Sequence, residues 1–310
     1  MAENNKMISC DLETGLCSEH EDEQDYEMVK VELAPVRRFR VIYYTDPICS
    51  ACWALEPYIR KLEEEYAPLL TIEYRMGGLL PGWEHFSDGG NGISKPSDVA
   101  HHWEEIAEQS GMSMDGDVWL EDPLHSSYPP SIAFKAAQLQ GKEQADAYLR
   151  RLREMVFLEK VNIAKEEALI QASIDVGLDT ESFKRSYHDP ATAELFYQEI
   201  EEGAELGVRG FPTILIVDEE GQGARVSGYR PYQHYVEALN KVAKGSLQPN
   251  QKVYTAKQLL QKYNFLGTEE IRIMLDASRE ETLAELQRLE QAGLVECVPV
   301  KFGFFWRNVN

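Results

Sequence analysis

The sequence predicts an α/β fold in which a mixed sheet carries a large all-helical insertion and a small C-terminal domain follows. Three observations predict it. An apolar run, Phe39 to Tyr44 with only Arg40 polar, feeds Cys49-Ser50-Ala51-Cys52 and then a helix-compatible segment with Pro57 inside it. A second apolar run, Thr213 to Val217, starts directly after Pro212 in a glycine-flanked turn. Between the two lie residues 97 to about 188, which carry helical periodicity throughout.

In chain order, residues 1–36 are acidic with little periodicity, the pattern of a mobile tail. Residues 38–76 read as strand, helix (about 49–66) and strand (Leu70 to Met76), a βαβ unit whose crossover is right-handed. Gly77-Gly78-Leu79-Leu80-Pro81-Gly82 leaves the second strand near the strand ends, where ligands usually sit in α/β sheets, although a glycine pair there is also ordinary turn chemistry. Ser97-Asp98 and Ser131 after Pro129-Pro130 start helices of the insertion, and apolar-periodic segments run over Gln144–Phe157 and Lys165–Val176. A helix over 191–206 precedes the second apolar run. Asp218-Glu219-Glu220-Gly221-Gln222-Gly223 turns a hairpin, and a helix over 232–244 closes the domain 37–245. Residues 246–252 are a short linker. Beyond it, three helices (255–263, 268–275 and 278–292, the last with a Ser278/Glu281 capping box) and two short strands form a winged-helix-like order over 253–310.

The chemistry concentrates at Cys49 and Cys52. Unpaired N–H groups and the positive dipole end of a helix stabilise a thiolate placed there, so Cys49 is read as the attacking sulfur with a lowered pKa. Cys52, one turn further in, is better shielded and placed to resolve a mixed disulfide. The same spacing could be half of a zinc site, but no second Cys-x-x-Cys or His-x-His cluster accompanies it. The Phe211-Pro212 bond sits where a cis peptide is plausible, a form taken by about 5–6% of X-Pro bonds. Such a loop would present the backbone of Phe211 to an extended substrate strand and shield the cysteines from a metal. Cys10, Cys17 and His20 could supply three soft ligands to zinc, yet their spacing matches no common finger. His101 and His102 point about 100° apart on a helix and do not converge on one ion.

Composition narrows the partners. A net charge of −22 and a pI near 4.7 argue against nucleic acid and anionic membranes, which reward positive patches. The C-terminal segment, near neutrality, is poorly suited to a phosphate backbone, so its winged-helix-like order points to protein binding or packing. No apolar run approaches about 18 residues, so no transmembrane helix is expected. Residues 1–30 hold nine acidic residues against two lysines, unlike a signal peptide, and the expected location is the cytoplasm. Five cysteines in a chain of 310 residues are no disulfide framework. No cofactor is implied.

Strand, Cys-x-x-Cys, Pro57, helical insertion, Gly210-Phe211-Pro212-Thr213, hairpin and final helix resemble the DsbA family within the thioredoxin fold, and its cytoplasmic FrnE-like branch more than the periplasmic oxidants. That resemblance covers about residues 38–245 and implies thiol-disulfide exchange on protein substrates with reactive cysteines, through Cys49 and Cys52, with Phe211 and Pro212 holding the substrate backbone. The C-terminal region ending in Phe302-Gly303-Phe304-Phe305-Trp306-Arg307, the cysteine-bearing tail and Asp46-Pro47-Ile48-Cys49-x-x-Cys52-Trp53 extend it: the whole chain resembles the SpxH (YjbH) family, which implies binding of the regulator Spx and its delivery to the ClpXP protease. Two departures stand out. The dipeptide between the cysteines is Ser50-Ala51, without the histidine of strong oxidants, which implies a weaker oxidant. The tail is poorer in histidine than a metal-sensing one would be. A serine-nucleophile isomerase or transferase on this fold would lack the second cysteine.

Overall fold

A computed structural model describes residues 7–10, 17–20, 39–250 and 254–309. The chain divides into two compact units, Met1–Pro35 and Val36–Asn310. Within the first, read from the sequence as a tail of little structure, β1 (Met7–Cys10) and β2 (Cys17–His20) pair antiparallel, with Cys10 opposite Cys17 and Met7 opposite His20. The zinc reading of Cys10, Cys17 and His20 depends on side chains that lie outside the described residues.

The second unit is built on β3 (Phe39–Thr45), α1 (Ser50–Tyr66) and β4 (Leu70–Met76), the expected βαβ unit with β3 and β4 parallel. The insertion comprises α2 (Pro96–Ser110), α3 (Val118–Glu121), α4 (Tyr128–Gln138), α5 (Lys142–Leu158), α6 (Glu166–Asp175) and α7 (Thr180–Tyr187). The long α8 (Pro190–Glu205), capped by Asp189 with Pro190 in its first turn, returns the chain to the sheet. Strands β5 (Thr213–Val217) and β6 (Gly223–Ser227) complete a four-stranded sheet of order β4-β3-β5-β6, antiparallel at β3/β5 and β5/β6. Helix α9 (Tyr232–Val242) follows, with Tyr235 and Leu239 buried in the core beneath α1 and the sheet. A second, larger core fills the insertion and reaches Ile48 and Trp53 at the start of α1.

The C-terminal segment contains α10 (Ala256–Tyr263), β7 (Phe265–Gly267), α11 (Thr268–Leu275), α12 (Arg279–Gln291), β8 (Val295–Val300) and β9 (Gly303–Asn308), with sheet order β7-β9-β8. Strand β7 has no counterpart in the sequence reading; at three residues it is too short to show alternation. The Ser278/Glu281 capping box forms as expected, and Thr255/Gln258 makes another at α10. The segment has its own core around Leu259, Leu260, Ile271, Leu286 and Trp306. It belongs to the same compact unit as the sheet, with α11 packed against α1. Its docking contacts include polar ones: the buried Glu270 accepts from Arg150 at 2.8 and 2.9 Å and from Arg60 at 3.1 Å, and Glu64 of α1 receives Lys262, Tyr254 and Tyr263.

Candidate dithiol site

The residues between β3 and α1 fix the site. Asp46, fully buried, accepts hydrogen bonds from Ile48 N (3.1 Å), Leu79 N (2.8 Å) and Ser127 Oγ (2.7 Å), tying the cysteine loop to the loop after β4 and to the insertion. Burial raises its carboxyl to about 6 despite those three donors. Cys49 caps α1 in extended conformation, one residue before the helix, and its Sγ accepts from Cys52 N at 3.3 Å. Cys49 is 5% exposed and Cys52 fully buried, both as free thiols.

The electrostatics differ from the sequence expectation. Burial, reinforced by the hydrogen bond it shares with Cys52, raises the Cys49 thiol instead of lowering it. Burial also works against a Cys52 thiolate, but the Cys49 hydrogen bond, the Arg153 charge and the Thr45 hydroxyl outweigh it and draw Cys52 down. The negative charge of the pair is therefore favoured on the inner sulfur. The helix-end argument fails for Cys49 because it assumes solvent at the helix start, whereas Cys49 is buried in a core against which Leu79 and Phe211 pack.

Arg153 supplies that field. It projects from α5, fully buried, and donates to Glu56 of α1 and to Thr45 Oγ1, while its Nε has no partner. Its charge is secured by Glu56 against the opposing effect of burial. Next to Cys52, Trp53 donates from Nε1 to Ser113 O at 2.9 Å and stacks between Phe157 (5.3 Å) and Phe305 of β9 (6.2 Å), with the Arg150 guanidinium 4.6 Å from its ring centre. One residue thus joins the dithiol to the insertion and to the C-terminal segment.

Phe211-Pro212 is cis, as expected, and borders the cysteines. The loop after β4 does approach the pair: a Cβ on Gly77 would lie 1.9 Å from Phe211 Cε1, so only glycine admits that ring there. Thr45, Glu56 and Arg153 were not singled out by sequence reasoning, and Asp46 entered it only as the first residue of the Asp46-Pro47-Ile48-Cys49 motif. Arg153 left a signal, a charge amid the apolar stripe of Leu149, Leu152, Val156 and Phe157 on α5. Asp46 left only its place between a strand and a proline. Among the described residues no group of three or more His, Cys, Asp or Glu could hold a metal. His101 and His102 diverge as predicted: His101 meets Glu105 at the surface, and the half-buried His102 has its pKa lowered by burial.

A parallel-plus-antiparallel sheet with a Cys-x-x-Cys capping α1 and a cis-proline loop beside it defines a thioredoxin-fold protein of the DsbA-like type. Residues 43–237 match the thioredoxin family. The cytosolic disulfide reductase DsbM of Pseudomonas aeruginosa superposes with a TM-score of 0.52 at 21% identity, over 65% of this chain and 98% of that one. The ClpXP adapter protein SpxH of Halalkalibacterium halodurans is 36% identical over the full length of both chains, and that of Bacillus subtilis is 31% identical over 89% of this chain and 91% of its own. The chain belongs to the SpxH family within the thioredoxin fold.

Proposed function

We propose that this chain is a cytoplasmic adapter that binds a Spx-type regulator and promotes its degradation by the ClpXP protease. The observation that carries this reading is the extent of the similarity: relatives named ClpXP adapters match the whole chain, C-terminal segment included, whereas the disulfide reductase matches 65% of it. The C-terminal segment of this chain is anchored through the fully buried Glu270. The covered, raised Cys49 thiol also fits a protein whose partner binding does not depend on sulfur attack. In the described residues no helix is long and apolar enough to cross a membrane.

A second reading is favoured by the intact dithiol beside the Phe211-Pro212 loop: thiol-disulfide exchange with protein substrates, Cys49 attacking and Cys52 resolving. Capture from lysate separates the two. Cys52→Ala traps mixed disulfides on Cys49 if exchange operates, and those partners leave with reductant and are absent with Cys49→Ala/Cys52→Ala. The adapter reading expects Spx or a protease subunit with both variants, unaffected by reductant. Capture of partners by the single variant alone would sink it.

A further inference from the structure

Strand β6 is the outer strand of its sheet, and among the described residues no further strand pairs with it. Its ladder to β5 is closed at one end by Gly228 N donating to Pro212 O at 2.8 Å and at the other by Asp218 N donating to Gln222 O at 2.9 Å. Ladder bonds of an antiparallel pair recur at every second residue, so Ala224 and Val226 turn their backbone groups to β5, whereas Gly223, Arg225 and Ser227 turn theirs to the open edge. Of these outward groups, Ser227 O is taken by Arg230 Nε at 3.2 Å. The side chains alternate in the same register: Ala224 and Val226 pack on the core, and Arg225 and Ser227 are exposed.

A groove of about 620 Å³ joins Phe211 to this strand; Arg209, Arg225 and Ser227 line it, and no acidic residue does. Arg225 Nη1 donates to Leu206 O and Gly207 O, just past α8, at 2.9 and 3.2 Å, which leaves Nε and Nη2 of the same guanidinium without an acceptor among the described residues. The approach needs the glycine, since a Cβ on Gly207 would lie 2.4 Å from Nη1. Among the described residues none of Arg209, Arg225 and Arg230 has a carboxylate oxygen within 4.0 Å. The arginines of β3, α1, β4 and α5 are all ion-paired. On a chain of net charge −22, a groove with unpaired arginines and no acid is the exception, and it calls for negative charge from outside.

The edge supplies backbone hydrogen bonds to an extended chain, and alternate side chains of that chain then decide which sequence is taken. A second copy of this protein is a poor occupant, because edge-to-edge pairing would bring two sets of arginines together and like charges across strands are destabilising. We propose that an extended acidic segment of the protein partner adds to the outer edge of β6, with alternate carboxylates on its groove side meeting Arg225 and Arg209. The inference rests on the protein-binding reading above and adds the surface and the chemistry that hold the partner.

The test uses the full chain and three fluorescein-labelled heptapeptides, Thr-Glu-Thr-Glu-Thr-Glu-Thr and its glutamine and lysine counterparts, with binding followed by fluorescence anisotropy at low salt. The glutamate peptide binds several-fold more tightly than the glutamine peptide, and the lysine peptide does not bind. Arg209→Glu, at an exposed residue without an ion pair, removes the preference. Ser227→Pro keeps both arginines and removes one edge donor where proline is admissible, since that N–H faces away from β5; it weakens the glutamate peptide several-fold. Should Ser227→Pro fail to fold by circular dichroism, slowed hydrogen exchange in Gly223–Ser227 on adding the glutamate peptide replaces it. Equal affinity of the glutamate and glutamine peptides for the unsubstituted chain overturns the proposal, as does glutamate-peptide binding that leaves the edge readout unchanged. Dimers of the chain alone that Ser227→Pro dissolves assign the edge to a second copy and also overturn it. Spx capture by the same unsubstituted preparation is scored separately: its presence without peptide discrimination rejects the β6 edge alone, and its absence rejects the adapter reading.

Discussion

Arg153 and Asp46 both border the dithiol, and each makes a measurable difference. Arg153 is the buried cation that favours charge on Cys52. Arg153→Met should raise the pKa that governs dithiol alkylation by roughly one unit or more, as expected on losing an adjacent opposite charge, read from the pH dependence of iodoacetamide labelling. The same change leaves the buried Glu56 with only the more distant Arg150 at 3.9 Å and should cost about 3 kcal/mol in urea unfolding, with Glu56→Gln/Arg153→Met recovering much of it. Asp46 behaves in the opposite sense to a salt-bridged carboxylate. Its folded pKa of about 6 lies above the unfolded value, about 3.9. Its stabilising contribution is therefore complete below the unfolded pKa and is lost as pH rises through the folded one. The stability of the natural chain relative to Asp46→Asn should fall by about 2–3 kcal/mol between pH 4 and pH 7. A flat difference over that range would refute the burial of an ionisable carboxyl at this point.

At the scale of elements, α1 organises the molecule, because its first turn holds the cysteines and its outer face holds the C-terminal segment. Glu270 closes that junction with Arg60 and Arg150, and the two guanidinium partners keep its carboxyl low in spite of full burial. Glu270→Ala should destabilise the junction by about 3–5 kcal/mol. Hydrogen exchange should then rise first in α10 to α12, with the sheet still protected; uniform exchange across both would contradict a junction held by this residue. The loop after β4 is set by the Phe211 ring over Gly77. Gly77→Ala must displace that ring, and iodoacetamide should then label Cys49 faster.

The elements were largely legible in the sequence, the electrostatics were not. Period-two and period-3.6 patterns and proline and glycine punctuation placed β3, α1, β4, α11 and the Ser278/Glu281 capping box to within a residue or so. Strand β7 escaped because three residues carry no period. The Cys49 pKa runs opposite to the expectation because the helix-end rule is local, while Cys49 is buried in a core built from residues distant in sequence, with Leu79 and Phe211 packed against it. Arg153 escaped for the same reason: its partners Glu56 and Thr45 are 97 and 108 residues away.

For the whole molecule, a net charge of −22 and a packed C-terminal extension suit a protein-binding platform better than a nucleic-acid partner. The central claim is that partner delivery depends on this platform and not on sulfur chemistry. Its most direct test is the rate of Spx degradation by purified ClpXP, with no addition, with the natural chain and with Cys49→Ala/Cys52→Ala. The adapter account predicts acceleration by both forms, equal within about twofold. Acceleration by the natural chain that disappears in the double variant, or none by either, would contradict it.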